Sequence, residues 1–345
     1  MNNNFDFPNN PQNQINMTDS EIKSHKRIFS RLGLAFLSYI AISQGLSIVL
    51  GYVLAVFAPN LLASNEFVLI LSSFIQYFVA FPVLYIIVRP LPKGTPTSTP
   101  VGVKRFLKYA VLSMFFMYVG NYISTFVMTR IEALLGRAPE NAVNEVLDNT
   151  NILVSALIVG IIGPIFEELM FRKIFVDRLI PYGDKIAMLF PALIFGLFHG
   201  NLYQFFYAFF IGVVFSYIYI KTGKIIYSIV LHIFINLFCG VFPSLVFSML
   251  DYEELIELVS MGALTEEYIA ANTLPIALFL IYSYGMIAMA GIGMIVLFKN
   301  IKNIYFNKGE IRFPKGTGAD IMFFNVGSIA LIASCILLMA YSTFA

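Results

Sequence analysis

The stretch NILVSALIVGIIGPIFEELMFRKIFVDRLI, residues 151–180, is mostly apolar but carries two glutamates and an arginine near its middle. A helix needs about 20 mainly apolar residues to cross a bilayer, so this stretch predicts a membrane span. On insertion scales a charged side chain at a helix centre costs about 2.5–3.5 kcal/mol. Glu167, Glu168 and Arg172 together therefore need roughly 8–10 kcal/mol of compensation. That cost indicates a polar site inside the membrane.

The whole chain has the composition of an integral membrane protein. Of its 345 residues, 59% are hydrophobic and 12% are charged, whereas soluble domains have roughly 45–50% and about 25%. Apolar runs cover residues 32–58, 66–88, 106–130, 151–180, 186–200, 202–220, 225–249, 273–298 and 320–342. The fifth and sixth runs are individually short for a span. The sequence therefore predicts an all-α, polytopic membrane helix bundle of eight or nine spans, with nine favoured.

The first 30 residues are polar and rich in asparagine, which is typical of a disordered segment. We expect residues 1–30 to form a disordered tail and residues 31–345 to form one multi-pass membrane domain. His25 falls in this tail and is interpreted as a solvated bystander. Because the tail lacks the short basic start of a secretory signal, the first apolar run is interpreted as an uncleaved span.

Charge placement predicts the orientation in the membrane. Basic residues cluster before the first span, at Lys23, Lys26, Arg27 and Arg31, whereas the next connection, PNLLASNE, has none. They recur in every second connection, and cytoplasmic loops are the ones enriched in Lys and Arg. The N-terminus is therefore predicted to be cytoplasmic. The basic residues form clusters rather than a stripe that could follow a phosphate backbone, so no nucleic acid partner is expected.

Helical spacing distinguishes the two glutamates. Residues four apart share one helix face, so Glu168 can reach Arg172 and form a structural ion pair. Glu167 points about 100° away around the helix and is left without that partner. Small residues and a proline lie on the face below Glu167, at Gly160, Gly163 and Pro164. This pattern predicts a cavity and a kink beside Glu167.

Two of the three histidines also lie in apolar runs. His199 ends the segment FGLFH, which begins at Phe195, and His232 begins HIFIN, which ends at Asn236. A lone histidine in a span is often hydrogen-bonded to a neighbouring helix, but two of them beside a free glutamate favour a site. At 1.5 Å per residue, the depths below the basic surface are ~20 Å for Glu167, ~21 Å for His199 and ~12 Å for His232. The sequence thus predicts one intramembrane chamber, which we expect to open toward the cytoplasm.

Amide hydrolysis suits these residue types. A carboxylate can act as general base on a water, an imidazole can assist it, and a His–Asn pair can direct donors at an oxyanion. Alternatively, Glu167, His199 and His232 could hold Zn²⁺ with an open position for water. The chain has no HExxH zinc-protease motif. We favour a mechanism that requires no cofactor, because Asn236 suits an oxyanion donor better than a zinc ligand.

The motifs EELMFR, FGLFH and HIFIN resemble, in this order, the EExxxR, FxxxH and HxxxN motifs of the CPBP intramembrane proteases. This group includes the CAAX prenyl endopeptidases and the bacterial Abi-type bacteriocin-processing and immunity proteins, and the resemblance covers about residues 150–240. It implies that Glu167 activates water with help from His199, and that His232 and Asn236 form the oxyanion site. It assigns supporting roles to Glu168, Arg172 and Phe195. Family members have been described both with a metal and with a glutamate-activated water.

The resemblance also implies the partners and the setting. The substrate is expected to be a peptide or a lipidated protein in contact with membrane lipids, and the chain is expected in a bacterial plasma membrane. Two other functions remain open at this point: an ion- or proton-coupled transporter, which also uses intramembrane Glu, His and Arg, and a non-catalytic bacteriocin self-immunity protein. Cys239 and Cys335 lie in apolar runs and are interpreted as buried small hydrophobic residues.

Overall fold

The computed structural model describes residues 17–139, 141, 146–147, 149–250 and 252–344. Long helices dominate this part of the chain: α1 (Asp19–Phe57), α2 (Asn65–Val88), α3 (Val103–Leu135), α4 (Ile152–Tyr182), α5 (Asp184–Phe198), α6 (Leu202–Thr222), α7 (Ile226–Phe247), α8 (Thr273–Asn303) and α9 (Val326–Phe344). Short helices at Pro59–Leu62, Tyr252–Ser260, Glu266–Ala271 and Gly318–Phe323 lie in the connections. The prediction of an all-α membrane bundle is confirmed.

Eight of these helices are long and apolar enough to cross a membrane within the described residues, and α5 is the exception. It has 15 residues, or ~22 Å at 1.5 Å per residue. It pairs with α6 in an antiparallel hairpin that turns at Gly200, whose φ of 65° suits glycine. The Ser342 hydroxyl, near the end of α9, donates to the Gly200 carbonyl at 2.9 Å. The hairpin tip therefore lies level with the far end of α9, although α5 alone is short for a span.

The connections collect at two opposite ends of the bundle. At the end that we call the basic end, Lys221 pairs with Asp184 at 2.6 Å, and Lys26 at the start of α1 pairs with Asp320 at 2.7 Å. At the opposite end, the Asn65 side-chain amide donates to the Asn149 carbonyl at 2.9 Å. The alternation of basic and non-basic connections along the sequence thus corresponds to two faces of the folded chain. Which face is cytoplasmic stays a prediction.

The expectation of a disordered tail up to residue 30 is wrong for residues 19–30. Helix α1 begins at Asp19, where Thr18 and Glu21 form a reciprocal capping box. His25 is fully buried rather than solvated, and its Nδ1 lies 2.9 Å from the Tyr182 hydroxyl. The helix extends because its first turns pack against the basic end of the bundle. Residues 1–16 lie outside the described residues.

Three helices widen into π-helical turns just before a proline. These turns span Ile75–Ala80 before Pro82, Ala156–Ile162 before Pro164, and Asn236–Val241 before Pro243. A proline has no N–H and its ring collides with the carbonyl four residues earlier, so a wider turn accommodates it. At Pro164, the position of the predicted kink, the structure has this wider turn. A further π-helical segment, Leu169–Val176, follows the two glutamates.

The interior contains two clusters of buried apolar side chains. One joins α1, α2, α4, α5, α9 and one face of α6 around aromatic contacts such as Phe36 with Phe175, whose ring centroids lie 4.7 Å apart. The other joins α3, α6, α7 and α8 and includes Phe215 and Ile235. The three sequence motifs lie where the two clusters meet.

Candidate active site

One cavity of about 200 Å³ is lined by Glu167, His199, His232 and Asn236. Glu167 comes from the middle of α4, His199 from the residue that ends α5, and the other two from α7. Phe195, one turn before His199, also lines it. The fold thus brings together residues of all three motifs, which are separated by up to 69 positions in the sequence. Their catalytic roles stay a prediction.

Glu168 and Arg172 form the predicted ion pair, and both side chains are fully buried. Arg172 Nε lies 3.1 Å from Glu168 Oε2. The guanidinium carbon lies 4.9 Å from the ring centre of Phe195 and 5.5 Å from that of Phe215. These rings supply cation–π contacts where water would otherwise solvate the charge. The arginine thereby joins the two apolar clusters.

His232 contacts both glutamates. Its Nδ1 lies 3.0 Å from Glu168 Oε1, and its Nε2 lies 3.5 Å from Glu167 Oε2. The Glu168 contact was missed in the sequence, because it joins residues 64 positions apart. Since Glu168 is the carboxylate paired with Arg172, it accepts the Nδ1 proton and sets the orientation of the ring. The other nitrogen, Nε2, is then the one that faces Glu167.

Glu167 is the glutamate that is left outside the buried ion pair. Glu168 and Arg172 compensate each other, as buried charges need, whereas Glu167 Oε2 lies 3.5 Å from His232 Nε2. Glu167 has a side chain that is 19% exposed, whereas Glu168 is fully buried, so Glu167 is the glutamate that faces the cavity.

Hydrogen bonds also orient the other two motif residues. His199 Nδ1 lies 2.7 Å from the Phe195 carbonyl and must donate to it, so a neutral ring carries its lone pair on Nε2. Asn236 Nδ2 donates to the Val159 carbonyl of α4 at 2.9 Å. An amide nitrogen has two protons, so one remains for another acceptor. His199 thus offers an acceptor and Asn236 offers a donor at the same cavity.

Several cavity residues were missed in the sequence. Helix α2 contributes Gln76 and Tyr77, and α6 contributes Gln204 and Tyr207. The Tyr77 ring stacks on Phe166 of α4, with centroids 4.6 Å apart, which places α2 against the glutamate-bearing helix. The sequence of α2 does contain a pattern that indicates a contribution to a polar cavity, because polar residues recur at positions 72, 73, 76 and 77 within an apolar span.

The chamber continues in a direction that we did not expect. A larger cavity of about 510 Å³ shares Gln204, Tyr207 and Asn236 with the first one and extends to Tyr203 and Asn141, at the end opposite the basic one. On the basic side, the buried side chains of the Arg172 cluster close the floor. The expectation that the chamber opens toward the basic, predicted cytoplasmic end is therefore wrong. Depth estimates along single helices could not detect this packing.

The arrangement of donors does not suit zinc. Within the described ranges, no group of three or more His, Cys, Asp or Glu side chains converges closely enough to hold a metal ion. Both nitrogens of His232 already face carboxylates. The residues that we considered as zinc ligands, Glu167, His199 and His232, line one cavity without forming a coordination site.

Comparisons with known proteins agree with the motifs. The family model for the type II CAAX prenyl endopeptidase Rce1-like family matches residues 149–238. The membrane-embedded CAAX protease MroQ of Staphylococcus aureus is 30% identical over 172 residues, which are 46% of this chain and 69% of that protein. The putative membrane peptidase YdiL of Bacillus subtilis is 26% identical over 176 residues, 49% of this chain and 69% of that protein.

A third relative has no activity in its name. The UPF0177 protein YxdF of Lactococcus lactis is 27% identical over 128 residues, 37% of this chain and 71% of that protein. No solved structure matches the chain. The match to the family model and the extent of the similarity to a CAAX protease show that this multi-pass membrane chain belongs to the CPBP family of proteases, which includes the CAAX prenyl endopeptidases.

Proposed function

We propose that the protein is an intramembrane endopeptidase in which Glu167 activates water for attack on a peptide bond. The observation that carries this proposal is the contact of Glu167 Oε2 with His232 Nε2 at 3.5 Å, beside a cavity and next to the buried Glu168–Arg172 pair. The contact places a carboxylate that can act as base beside an imidazole that can act as hydrogen-bond donor. Peptide hydrolysis needs both.

Each step follows from a group at the cavity. A water held between Glu167 and the His199 Nε2 lone pair gives its proton to the Glu167 carboxylate as its oxygen bonds to the peptide carbonyl carbon. The oxyanion that forms accepts hydrogen bonds from His232 Nε2–H and from the free amide proton of Asn236. Glu167 then delivers its proton to the leaving nitrogen as the C–N bond breaks. The step consumes one water and restores the starting charges.

Glu168, Arg172 and Phe195 support this chemistry without touching the substrate. Glu168 holds the His232 ring by its Nδ1 proton, and Arg172 neutralises Glu168. Phe195 covers the guanidinium and gives the carbonyl that fixes the His199 tautomer. No step is assigned to a metal, because the donors do not converge on one point.

The substrate that we propose is a peptide or protein segment presented at the membrane, lipidated or otherwise membrane-associated. The family membership and the name of the relative MroQ support this class. The cavity of about 510 Å³ that joins the catalytic chamber offers room for the substrate chain beside the reacting bond. A substrate that follows it approaches from the end opposite the basic one.

The experiment compares peptides released by cells that produce the wild-type chain, Glu167→Gln, or Glu257→Gln, where Glu257 is an exposed glutamate outside the site. Mass spectrometry should identify products that require Glu167 and appear unchanged with the Glu257 variant. Purified protein in liposomes should then cleave a synthetic peptide spanning that site, and Glu167→Gln should cleave it about 10²–10⁴-fold more slowly, the usual contribution of a general base. Identical peptide populations in all three strains would show a catalytically silent family member.

A further inference from the structure

A second large cavity lies away from the catalytic chamber. It is a groove of about 650 Å³ between α3, α6 and α8 at the basic end, with walls formed partly by Val213 and Leu297. We call it the α3 groove. It shares no described lining residue with the two cavities of the site.

Charge and apolar surface are separated along this groove. Lys104, Lys108, Leu112 and Phe116 all line it and follow one another at four-residue spacing, so they form one stripe along α3. The two lysines lie at the basic end, and the two apolar residues lie deeper. The stripe is ~18 Å long at 1.5 Å per residue, which is close to one leaflet of a hydrocarbon core of about 30 Å.

A third cation lies beside the stripe. Arg105 lines the groove, and its Nε donates to the Tyr109 hydroxyl at 3.0 Å, which holds the guanidinium at the entrance. Every described lining residue that carries a formal charge is basic. The first turn of α3, which follows Gly102 without a side-chain cap, adds the positive end of a helix dipole.

We propose that the α3 groove binds one anionic phospholipid. The phosphate lies among Lys104, Arg105 and Lys108, and an acyl chain lies along Leu112 and Phe116. A zwitterionic lipid would bring a cationic group to an entrance that has three cations, and free phosphate would leave the apolar part of the groove unused. Basic pockets between membrane helices are known to suit anionic headgroups. This proposal does not depend on the proposed protease activity.

The consequence for the fold lies in the pairing of α3 with α8. Both helices line the groove, and Gly293 of α8 packs directly against the Val111 carbonyl of α3. The same two helices form part of the wall of the larger site cavity, through Met117 and Met286. A lipid bound between them at the basic end therefore holds together one side of that cavity.

The test is native mass spectrometry of the detergent-purified full chain, titrated with phosphatidylglycerol or phosphatidylcholine of identical acyl chains. Phosphatidylglycerol should bind more tightly to the wild type. Each cation near an anionic headgroup contributes about fivefold, so the triple variant Lys104→Gln/Arg105→Gln/Lys108→Gln should bind it on the order of 100-fold more weakly. The single variant Lys108→Gln should lose about fivefold and serves if the triple variant does not fold.

The matched control is Lys23→Gln/Arg27→Gln/Lys315→Gln, which removes two lysines and one arginine from exposed positions at the same end. This variant should bind phosphatidylglycerol like the wild type. Equal weakening in both triple variants would show a general charge effect and overturn the site. Equal binding of the two lipids would also overturn it, as would displacement of the lipid by millimolar inorganic phosphate, which would indicate a simple phosphate site.

A second inference rests on a different observation, the hydrogen bonds of the α5–α6 turn. The Gln204 backbone N–H donates to Asn201 Oδ1 at 2.9 Å, which identifies that atom as the oxygen. Asn201 Nδ2 must then be the donor to Gln204 Oε1 at 2.7 Å, and Gln204 Nε2 the donor to the Tyr207 hydroxyl at 2.8 Å. The Tyr207 oxygen therefore accepts, and its own proton points away from Gln204.

We infer that the Tyr207 hydroxyl donates to a substrate carbonyl. Tyr207 lines both site cavities, as Asn236 does, so a hydroxyl proton that points away from Gln204 is available to a substrate chain that passes from one cavity to the other. The inference rests on the proposed function and adds to it a substrate-binding residue, Tyr207, and a positioning residue, Gln204. The amide of Gln204 fixes the direction of that proton.

Two variants test the direction of the proton in the liposome cleavage assay. Tyr207→Phe removes only the hydroxyl and should lower kcat/KM about 3- to 10-fold, as loss of one neutral hydrogen bond of about 0.5–1.5 kcal/mol does. In Gln204→Glu, one carboxylate oxygen still accepts from Asn201, but the other accepts from the Tyr207 hydroxyl instead of donating to it. This variant should therefore turn the Tyr207 proton away from the substrate and lower kcat/KM by a similar factor. In the Tyr207→Phe background, Gln204→Glu should change kcat/KM little further.

The outcomes separate this inference from the proposed function. Full activity of Tyr207→Phe, with Glu167→Gln inactive, would overturn the role of Tyr207 and leave the protease intact. Additive losses in the double variant would overturn the role of Gln204 in directing the proton. A wild-type protein that cleaves nothing would instead remove the proposed function itself.

Discussion

Replacing Glu168 with Gln tests whether the two adjacent glutamates have different tasks. Glu168 and Arg172 are both fully buried, and their ion pair is 3.1 Å long. Glutamine keeps the size of the side chain and still accepts from His232, so the main loss is the charge opposite Arg172. Breaking a buried pair by removing one partner costs about 3–5 kcal/mol, because the remaining charge is left without compensation. We expect the Glu168→Gln variant to lose that much unfolding free energy.

A double variant separates charge from packing. Glu168→Leu/Arg172→Met removes both charges and leaves side chains of comparable bulk, a change that is often close to neutral. It also removes the acceptor of His232 Nδ1, and an unsatisfied buried donor costs about 1–3 kcal/mol. The double variant should therefore be about 2 kcal/mol more stable than Glu168→Gln. It should nevertheless be inactive, because the His232 ring is no longer held.

The matched control is Glu167→Gln, the same substitution one residue away. The Glu168–Arg172 pair stays intact in this variant and the side chain of residue 167 faces the cavity, so the unfolding free energy should change by less than about 1 kcal/mol. Unfolding of all variants in detergent micelles, with cleavage measured on the same samples, gives both quantities. A Glu168→Gln protein of wild-type stability without activity, together with a destabilised Glu167→Gln protein, would refute the assignment and exchange the two roles.

Three further predictions concern orientation, metal dependence and packing. In a variant without the native cysteines, a cysteine introduced at Lys185 should not react with a membrane-impermeant thiol reagent in intact cells, whereas one introduced at Ser260 should react. Labelling at position 185 from outside the cell would contradict a cytoplasmic basic end. Dialysis against a chelator should leave cleavage unchanged, whereas loss of activity restored by stoichiometric zinc would contradict the metal-free mechanism. Gly160→Leu should destabilise the protein by about 1–3 kcal/mol, because a side chain at this position collides with Leu237 of α7. Adding Leu237→Ala should restore part of the lost stability. An unchanged unfolding curve for Gly160→Leu would contradict the close packing of α4 and α7.

The spans and the candidate residues of the site could be read from the sequence for a single physical reason. Because the bilayer core contains no water, the backbone of an apolar run must satisfy its hydrogen bonds within a helix. Polar residues inside such a run are energetically costly, so they mark sites of function. Glu167, His199, His232 and Asn236 stood out on that ground, and the i, i+4 spacing was enough to pair Glu168 with Arg172. The capping box at Thr18 was equally local, and it would have placed the start of α1 correctly.

Only the tertiary structure decided which groups meet across helices. His232 contacts Glu168 from 64 positions away, and His25 is buried against Tyr182, 157 positions along the chain. The contribution of α2 to the cavity wall, through Tyr77, is of the same kind. Such contacts depend on how the helices pack, and periodicity within one helix carries no information about its neighbours. The expectation that the chamber opens toward the basic end was wrong for the same reason. The composition of each helix sets its depth in the membrane, but the packing of aromatic rings around Arg172 determines which end of the chamber is closed.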